Sequence, residues 1–224
     1  MEHAFARKPK QNRSQQSYDR MLDAATKILE EGGLAALTLS EVSRRSKVSI
    51  GSIYCRVDGK EDLLRAVQVR ALARMDNEFA LLLTRVRRRA LPLRELVPTM
   101  VRELGNFLRR NAKLLSAFMQ QATTDPVIQS TGAKSWQQTS MDFKLMILER
   151  RDEFGHPDPD HAADMCFLIV YGCLARFLGF NSLDNEAQGL PTNWNELIDD
   201  LGLMMLGFLA LDLKSATRVA GRGK

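Results

Sequence analysis

Residues 37–54 read LTLSEVSRRSKVSIGSIY, and this short stretch carries two helix-start signals in tandem. Thr38 and Glu41 have the T-x-x-E spacing of a capping box, with Leu37 and Val42 at the positions of a hydrophobic staple. Ser49 is a second N-cap, with Val48 and Ile53 as its staple. One helix is therefore predicted over 39–46 and another over 50–57, with three residues between them. A joint that short forces the helices to cross steeply, which is the helix-turn-helix arrangement. Upstream, Met21, Ala24, Ala25, Ile28 and Leu29 recur at three- and four-residue spacing, predicting a helix over 17–31 that Gly32 and Gly33 stop.

Downstream the pattern stays helical, and strand signals are absent. After these two short segments the next helix is predicted to start near Gly59-Lys60 and run towards Arg85–Arg89. Further helices are expected over 93–110, with Pro98 kinking it or lying in its first turn or so, and over 113–121. Another is opened by Asp125-Pro126 and ends near Gly155, followed by helices over 161–180 and 194–214. The fold class is all-α: an N-terminal three-helix helix-turn-helix domain at 14–60 and a larger helical domain at 61–214. A basic arm at 1–13 and a tail at 215–224 flank them. Met165–Phe180 is strongly apolar, but Arg176 interrupts it and it falls short of the ~20 residues a bilayer requires.

Gly51, Gly59 and Lys60 raise a different possibility, a phosphate-cradling loop. That loop needs its two glycines five apart, with Ser or Thr after the lysine. Here the glycines are eight apart, and Glu61 follows Lys60. Charge points instead to a polyanion held by the head. Residues 1–60 hold 11 Lys and Arg against 7 Asp and Glu, so most of the net charge of +5 lies in the first quarter of the chain. A helix over 50–57 would span roughly the ~12 Å width of a DNA major groove. It offers hydroxyls, a guanidinium and one small position, Gly51, for close backbone approach. Cys55, Cys166 and Cys173 form no C-x-x-C pair, and the N-terminus shows no signal-peptide apolar run, so a reducing cytoplasm is expected.

TLSEVSRRSKVSIGSIYCRVDGKEDLL resembles the DNA-binding domain of the TetR family of bacterial transcriptional regulators. The resemblance rests on Val48-Ser49, Gly51, Ile53-Tyr54 and Lys60-Glu61-Asp62-Leu63-Leu64, and covers roughly residues 17–64. It implies that Thr38, Tyr54 and Lys60 contact phosphates of double-stranded DNA, and that Ser49, Ile50, Ser52, Cys55 and Arg56 lie near base edges. Gly51 would allow close approach. The sequence departs from the family habit at Lys47, Cys55 and Val57. Lys47 is expected to hold a positive φ, at a cost on the order of 1 kcal/mol, and Val57 stands where an aromatic is usual.

One helix-turn-helix contacts too little DNA for high specificity, so a homodimer on paired half-sites is expected. Cys166, Gly172, Cys173 and Gly179 on one helix, with Gly202, Leu206 and Leu209 on the next, are the candidate interface. In TetR-like proteins the last two helices form a four-helix bundle with their dimer mates. The middle helices should enclose a pocket for a small apolar or amphipathic effector. Its candidate lining is Phe107, Leu115, Phe118, Met119, Trp136, Met141, Phe143, Met146, Phe167 and Tyr171. HPDPDH at 156–161 reads as a loop with Asp158 as N-cap and Pro159 at N1 rather than as a metal site. No catalytic constellation is legible, and neither cofactor nor metal is expected. The predicted function is a regulator, a repressor released from a palindromic operator by its effector. The alternative is a helical ligand-binding or scaffold protein that has lost operator recognition.

Overall fold

The computed structural model describes residues 10–180 and 193–211. The expected arm residues Arg7 and Lys8 and the tail 215–224 lie outside them, while 10–13 already belong to the first helix. Among the described residues there are α-helices, one 3-10 turn and no strand. α1 (Lys10–Ala36) buries Met21, Leu22, Ala25, Ile28 and Leu29, and breaks at Gly33, whose φ of 65° is open to glycine. α2 (Leu39–Ser46) starts on Thr38, whose Oγ1 accepts from Glu41 N at 3.2 Å. α3 (Ile50–Tyr54) starts on Ser49, whose Oγ accepts from Ser52 N at 3.3 Å.

Two local details differ from the sequence expectation. Only half of the capping box at Thr38 forms, because Glu41 turns its carboxylate to Arg44 at 2.7 and 2.8 Å and to Arg45 at 2.6 Å. Those bonds from two arginines, Arg44 first, hold the Glu41 carboxyl down at about 2. α3 also ends at Tyr54 rather than at residue 57. Arg56 N bonds Ile53 O at 2.9 Å, a tighter turn that drops Val57 into the core. Leu37, Val42, Val48, Ile53 and Val57 are all buried, so both predicted staples lie in one head core with Ile28. Lys47 ends α2 in the left-handed region, φ 58° and ψ 29°, as expected.

α4 (Lys60–Arg87) is one 28-residue helix, about 42 Å long at 1.5 Å per residue. Leu63, Leu64 and Val67 close the head core, and Leu72, Met75, Phe79 and Leu82 continue the same buried stripe into the larger domain. α5 (Leu93–Arg110) carries Pro98 in its second turn. α6 (Ala112–Ala122) follows, then α7 (Pro126–Leu148), capped by Asp125 with Pro126 at its start. α8 (Pro159–Phe177) starts on Asp158, whose Oδ1 accepts from His161 N at 3.1 Å, and Pro159 opens it as expected. α9 (Trp194–Ala210) starts with a complete capping box between Asn193 and Glu196 that the sequence reading passed over. α9 seats closely on α5, where a Cβ on Gly202 would stand 3.2 Å from Pro98 Cα.

Candidate nucleic-acid interface and cavity

The turn between α2 and α3 is pinned from both sides. Ser43 Oγ donates to Val48 O at 2.7 Å, Val48 N donates to the buried Ser46 Oγ at 3.2 Å, and Arg20 Nε reaches Ser46 O at 3.4 Å. This fixes which face of α3 points outward. Ser49, Gly51, Ser52 and Cys55 are exposed, as are two large apolar side chains, Ile50 at 42% and Tyr54 at 57%. Thr38 is exposed at the start of α2. Nothing lies within 4 Å of the position a Cβ would take at Gly51. The packing of the chain itself therefore does not require glycine there.

Two of the expected contact residues are engaged within the domain. Arg56 Nη2 donates to Ser14 O at 2.7 Å, Ser14 Oγ at 3.0 Å and Ser17 Oγ at 2.9 Å, and its guanidinium lies 5.5 Å over the Tyr18 ring. It therefore staples α3 to the start of α1 instead of projecting with Ser49 and Ser52. Lys60 Nζ donates to Leu34 O at 3.0 Å, a carbonyl of the last turn of α1 that also accepts from Leu37 N at 3.3 Å. Glu61 and Asp62 occupy the same first turn of α4 and already answer its dipole.

A cavity of about 340 Å³ opens between α4, α5, α6, α7 and α8. Of the predicted lining residues, Phe107, Leu115, Phe118, Met119, Trp136 and Tyr171 line it. Phe143, Met146 and Phe167 do not; they are fully buried behind it, with Phe167 stacked 5.8 Å from Trp136 and 5.5 Å from Tyr171. Met141 is 52% exposed, on the outer side of α7. Burial pushes the Tyr171 phenol up to about 12. The sequence reading missed Gln68 and Asp76 of α4 and Ser135 and Thr139 of α7 in the lining. The signal was there: Leu64, Gln68, Leu72 and Asp76 stand four apart, so two polar residues interrupt an apolar stripe.

Part of the predicted interface lies inside the monomer. Cys166 and Leu209 are buried in the core, where desolvation pushes the Cys166 thiol up to about 12, and Gly202 is shut against Pro98. Gly179 has another role: with φ 73° it ends α8, as Gly179 N bonds Arg176 O and Phe180 N bonds Ala175 O, both at 3.0 Å. Leu206 is half-buried, while Gly172 and Cys173 stay on the outside. Leu168 and Ile169 of α8 join them, and α9 exposes Leu203, Met204 and Gly207.

Residues 21–67 match the family model of the bacterial regulatory proteins of the TetR family. The head is a TetR-family DNA-binding domain. The TetR-type architecture extends over the larger domain too. A Mesorhizobium loti protein assigned to the TetR-family transcriptional regulators superposes with a TM-score of 0.69 at 17% identity, covering 88% of this chain and 97% of that one. The fatty acid degradation regulator FadR from Bacillus halodurans gives 0.61 at 16% identity over 90% and 97%. FadR from Bacillus subtilis, solved in complex with stearoyl-CoA, gives 0.58 at 14% over 87% and 98%. At such identities the likeness is one of fold. No curated protein matches the chain in sequence. No helix among the described residues is long and apolar enough to cross a membrane.

Proposed function

We propose that the protein is a dimeric repressor whose two α3 helices read a near-palindromic operator and that leaves DNA when an apolar or amphipathic effector fills the cavity. The observation that carries this reading is the outward face of α3, where Ser49, Ile50, Gly51, Ser52 and Tyr54 stand exposed on a pinned helix. Ile50, an apolar side chain on an otherwise polar surface beside an open glycine, suits contact with a thymine methyl, and the glycine suits close backbone approach. Thr38, Tyr54 and Lys60 serve the phosphates, and Cys55 borders the base edges. Arg56 acts through α1, fixing how its first turns meet the DNA.

α4 connects effector to operator. It holds the head core with Leu63 and Leu64 and lines the cavity with Gln68, Leu72, Met75 and Asp76. Arg65 Nε also bonds Asp125 Oδ2 at 2.9 Å, so α4 follows the start of α7. The functional division at about residue 60 thus falls where this shared helix begins. The exposed faces of α8 and α9 pair two copies. The acyl chain of the stearoyl-CoA in complex with Bacillus subtilis FadR supports an apolar body for the effector of a cavity of this lining, without carrying over the anionic headgroup.

A gel-shift series on the DNA upstream of the gene tests the operator reading. Binding should weaken steeply with salt, because phosphate contacts release counterions, and half-sites should lie about one helical turn or a multiple apart. Salt-insensitive binding contradicts it. The internal ties of Arg56 and Lys60 favour a second reading, a head that no longer reads DNA. Wild-type protein that prefers no DNA sequence, with binding to any DNA unaltered by Arg56→Ala or Lys60→Ala, would support that second reading.

A further inference from the structure

Among the described residues, one buried side-chain polar atom has no hydrogen-bond partner, Oε1 of Gln68. Gln68 is 2% exposed and lines the cavity. Its orientation is fixed, because Nε2 donates to Ile128 O at 2.9 Å and a carbonyl accepts only from the nitrogen side. Oε1 is thereby left without a donor, and a buried acceptor in that state is costly. Among the described residues no donor of the wall reaches it. Ser135 Oγ already donates to Asp76 Oδ1 at 2.7 Å, and Thr139 Oγ1 donates to Ser135 O at 3.0 Å. Among the described residues Asp76 bonds no other group, which leaves its second carboxylate oxygen as an acceptor. No Lys, Arg or His stands in the lining. Gln129 lies exposed at the mouth, and the Tyr171 hydroxyl, pushed up by burial, keeps its proton.

We infer that the occupant of this cavity is a non-anionic apolar molecule carrying a hydrogen-bond donor, a hydroxyl or an ammonium, that meets Gln68 Oε1. The inference rests on the effector reading of the same cavity. An anion entering this wall meets an amide oxygen and the Asp76 carboxylate, with only the neutral donors of Trp136, Tyr171 and Gln129 and no cation to offset its lost hydration. A donor completes the one open buried valence, and an ammonium gains Asp76 and the faces of Trp136 and Tyr171 as well. The specificity lies in α4, the helix that also carries the head, so the donor bonds to the element that must respond.

Calorimetric titration of the full chain with four probes on one apolar body tests this: phenylbutanol, its methyl ether, phenylbutylamine and phenylbutanoate. The alcohol should bind about tenfold tighter than the ether, the value of one buried acceptor satisfied, and the carboxylate should be weakest. Gln68→Met should erase the alcohol-over-ether preference while apolar binding persists. Asp76→Asn should lower amine affinity and leave the alcohol-to-ether ratio unchanged; an amine tighter than the alcohol identifies the ammonium form, and equal affinities the hydroxyl form. If Gln68→Met fails to fold, the wild-type series and Asp76→Asn still decide. Carboxylate or ether binding as tight as alcohol and amine overturns the inference, as does an undiminished preference in Gln68→Met. Gly132, where an added Cβ would stand 3.6 Å from Gln68 Nε2, separates the two claims. Gly132→Leu should abolish binding of every probe, and probes that still bind it overturn the effector reading together with this one. If all four bind equally and Gly132→Leu blocks them, the effector reading stands and the donor requirement falls.

Discussion

Gly51→Ala separates the fold from the function of α3 in one substitution. Gly51 is helical, and its missing Cβ faces open space with nothing within 4 Å. Replacing an interior helical glycine with alanine favours the folded state by about 0.5–1 kcal/mol, through the unfolded chain's lost freedom. For a chain of this size that raises Tm by roughly 1–4 °C. On DNA the same methyl projects from the face that must meet the groove. Forcing an extra methyl into a close-packed contact costs about 1–3 kcal/mol, or roughly 5- to 150-fold in affinity. Thermal denaturation and fluorescence anisotropy on operator DNA measure the two effects. The variant should melt higher and bind weaker. A lower Tm would show that the open space beside Gly51 is needed within the chain. Unchanged affinity at a higher Tm would remove Gly51 from the DNA contact.

Other substitutions test other parts of the account. Lys47→Gly should stabilise the protein by up to about 0.5 kcal/mol in denaturant titration, because a left-handed backbone suits glycine and much of the gain is lost to unfolded-state entropy. Leu203→Glu places a charge on the exposed face of α9; sedimentation should show folded monomer, with operator affinity falling at least about tenfold. Phe143→Ala, at a fully buried site behind the cavity, should cost about 3–5 kcal/mol of stability by chemical denaturation. Burial pushes the Asp125 carboxyl up, but Arg65 and the amides of Ile128 and Val127 outweigh it and leave it below the usual carboxylate range. A depressed carboxyl stabilises above its unfolded pKa of about 4 and loses that contribution as pH falls through the folded value. Asp125→Asn should therefore flatten the acid limb of the stability profile below about pH 4.

What was legible in the sequence was what is set locally. The starts of α2, α3, α7 and α8 follow from Thr38, Ser49, Asp125 and Asp158, whose caps depend on neighbours within three residues. What was not legible depends on distant partners. α3 stops early because Val57 has a core to enter; the one local miss is Glu41, whose carboxylate turns from its box to the neighbouring Arg44 and Arg45. Arg56 turns inward because Ser14, Ser17 and Tyr18, some forty residues earlier, stand beside it. Periodicity cannot say which neighbour a buried stripe faces, so Phe143, Met146 and Phe167 read like their cavity-lining counterparts, and Cys166 and Leu209 read like Gly172 and Cys173. Gln68 was visible as a polar break in the α4 stripe, but its open acceptor needed Ile128 in place.

Selection of binding sites from a random duplex DNA pool tests the central claim most directly, that paired α3 helices read an operator. An inverted repeat with its halves about one helical turn or a multiple apart should be enriched, and the enrichment should be lost in a variant with Ile50 and Tyr54 both changed to alanine. A pool that enriches no symmetric sequence, or one enriched equally by that variant, would contradict it.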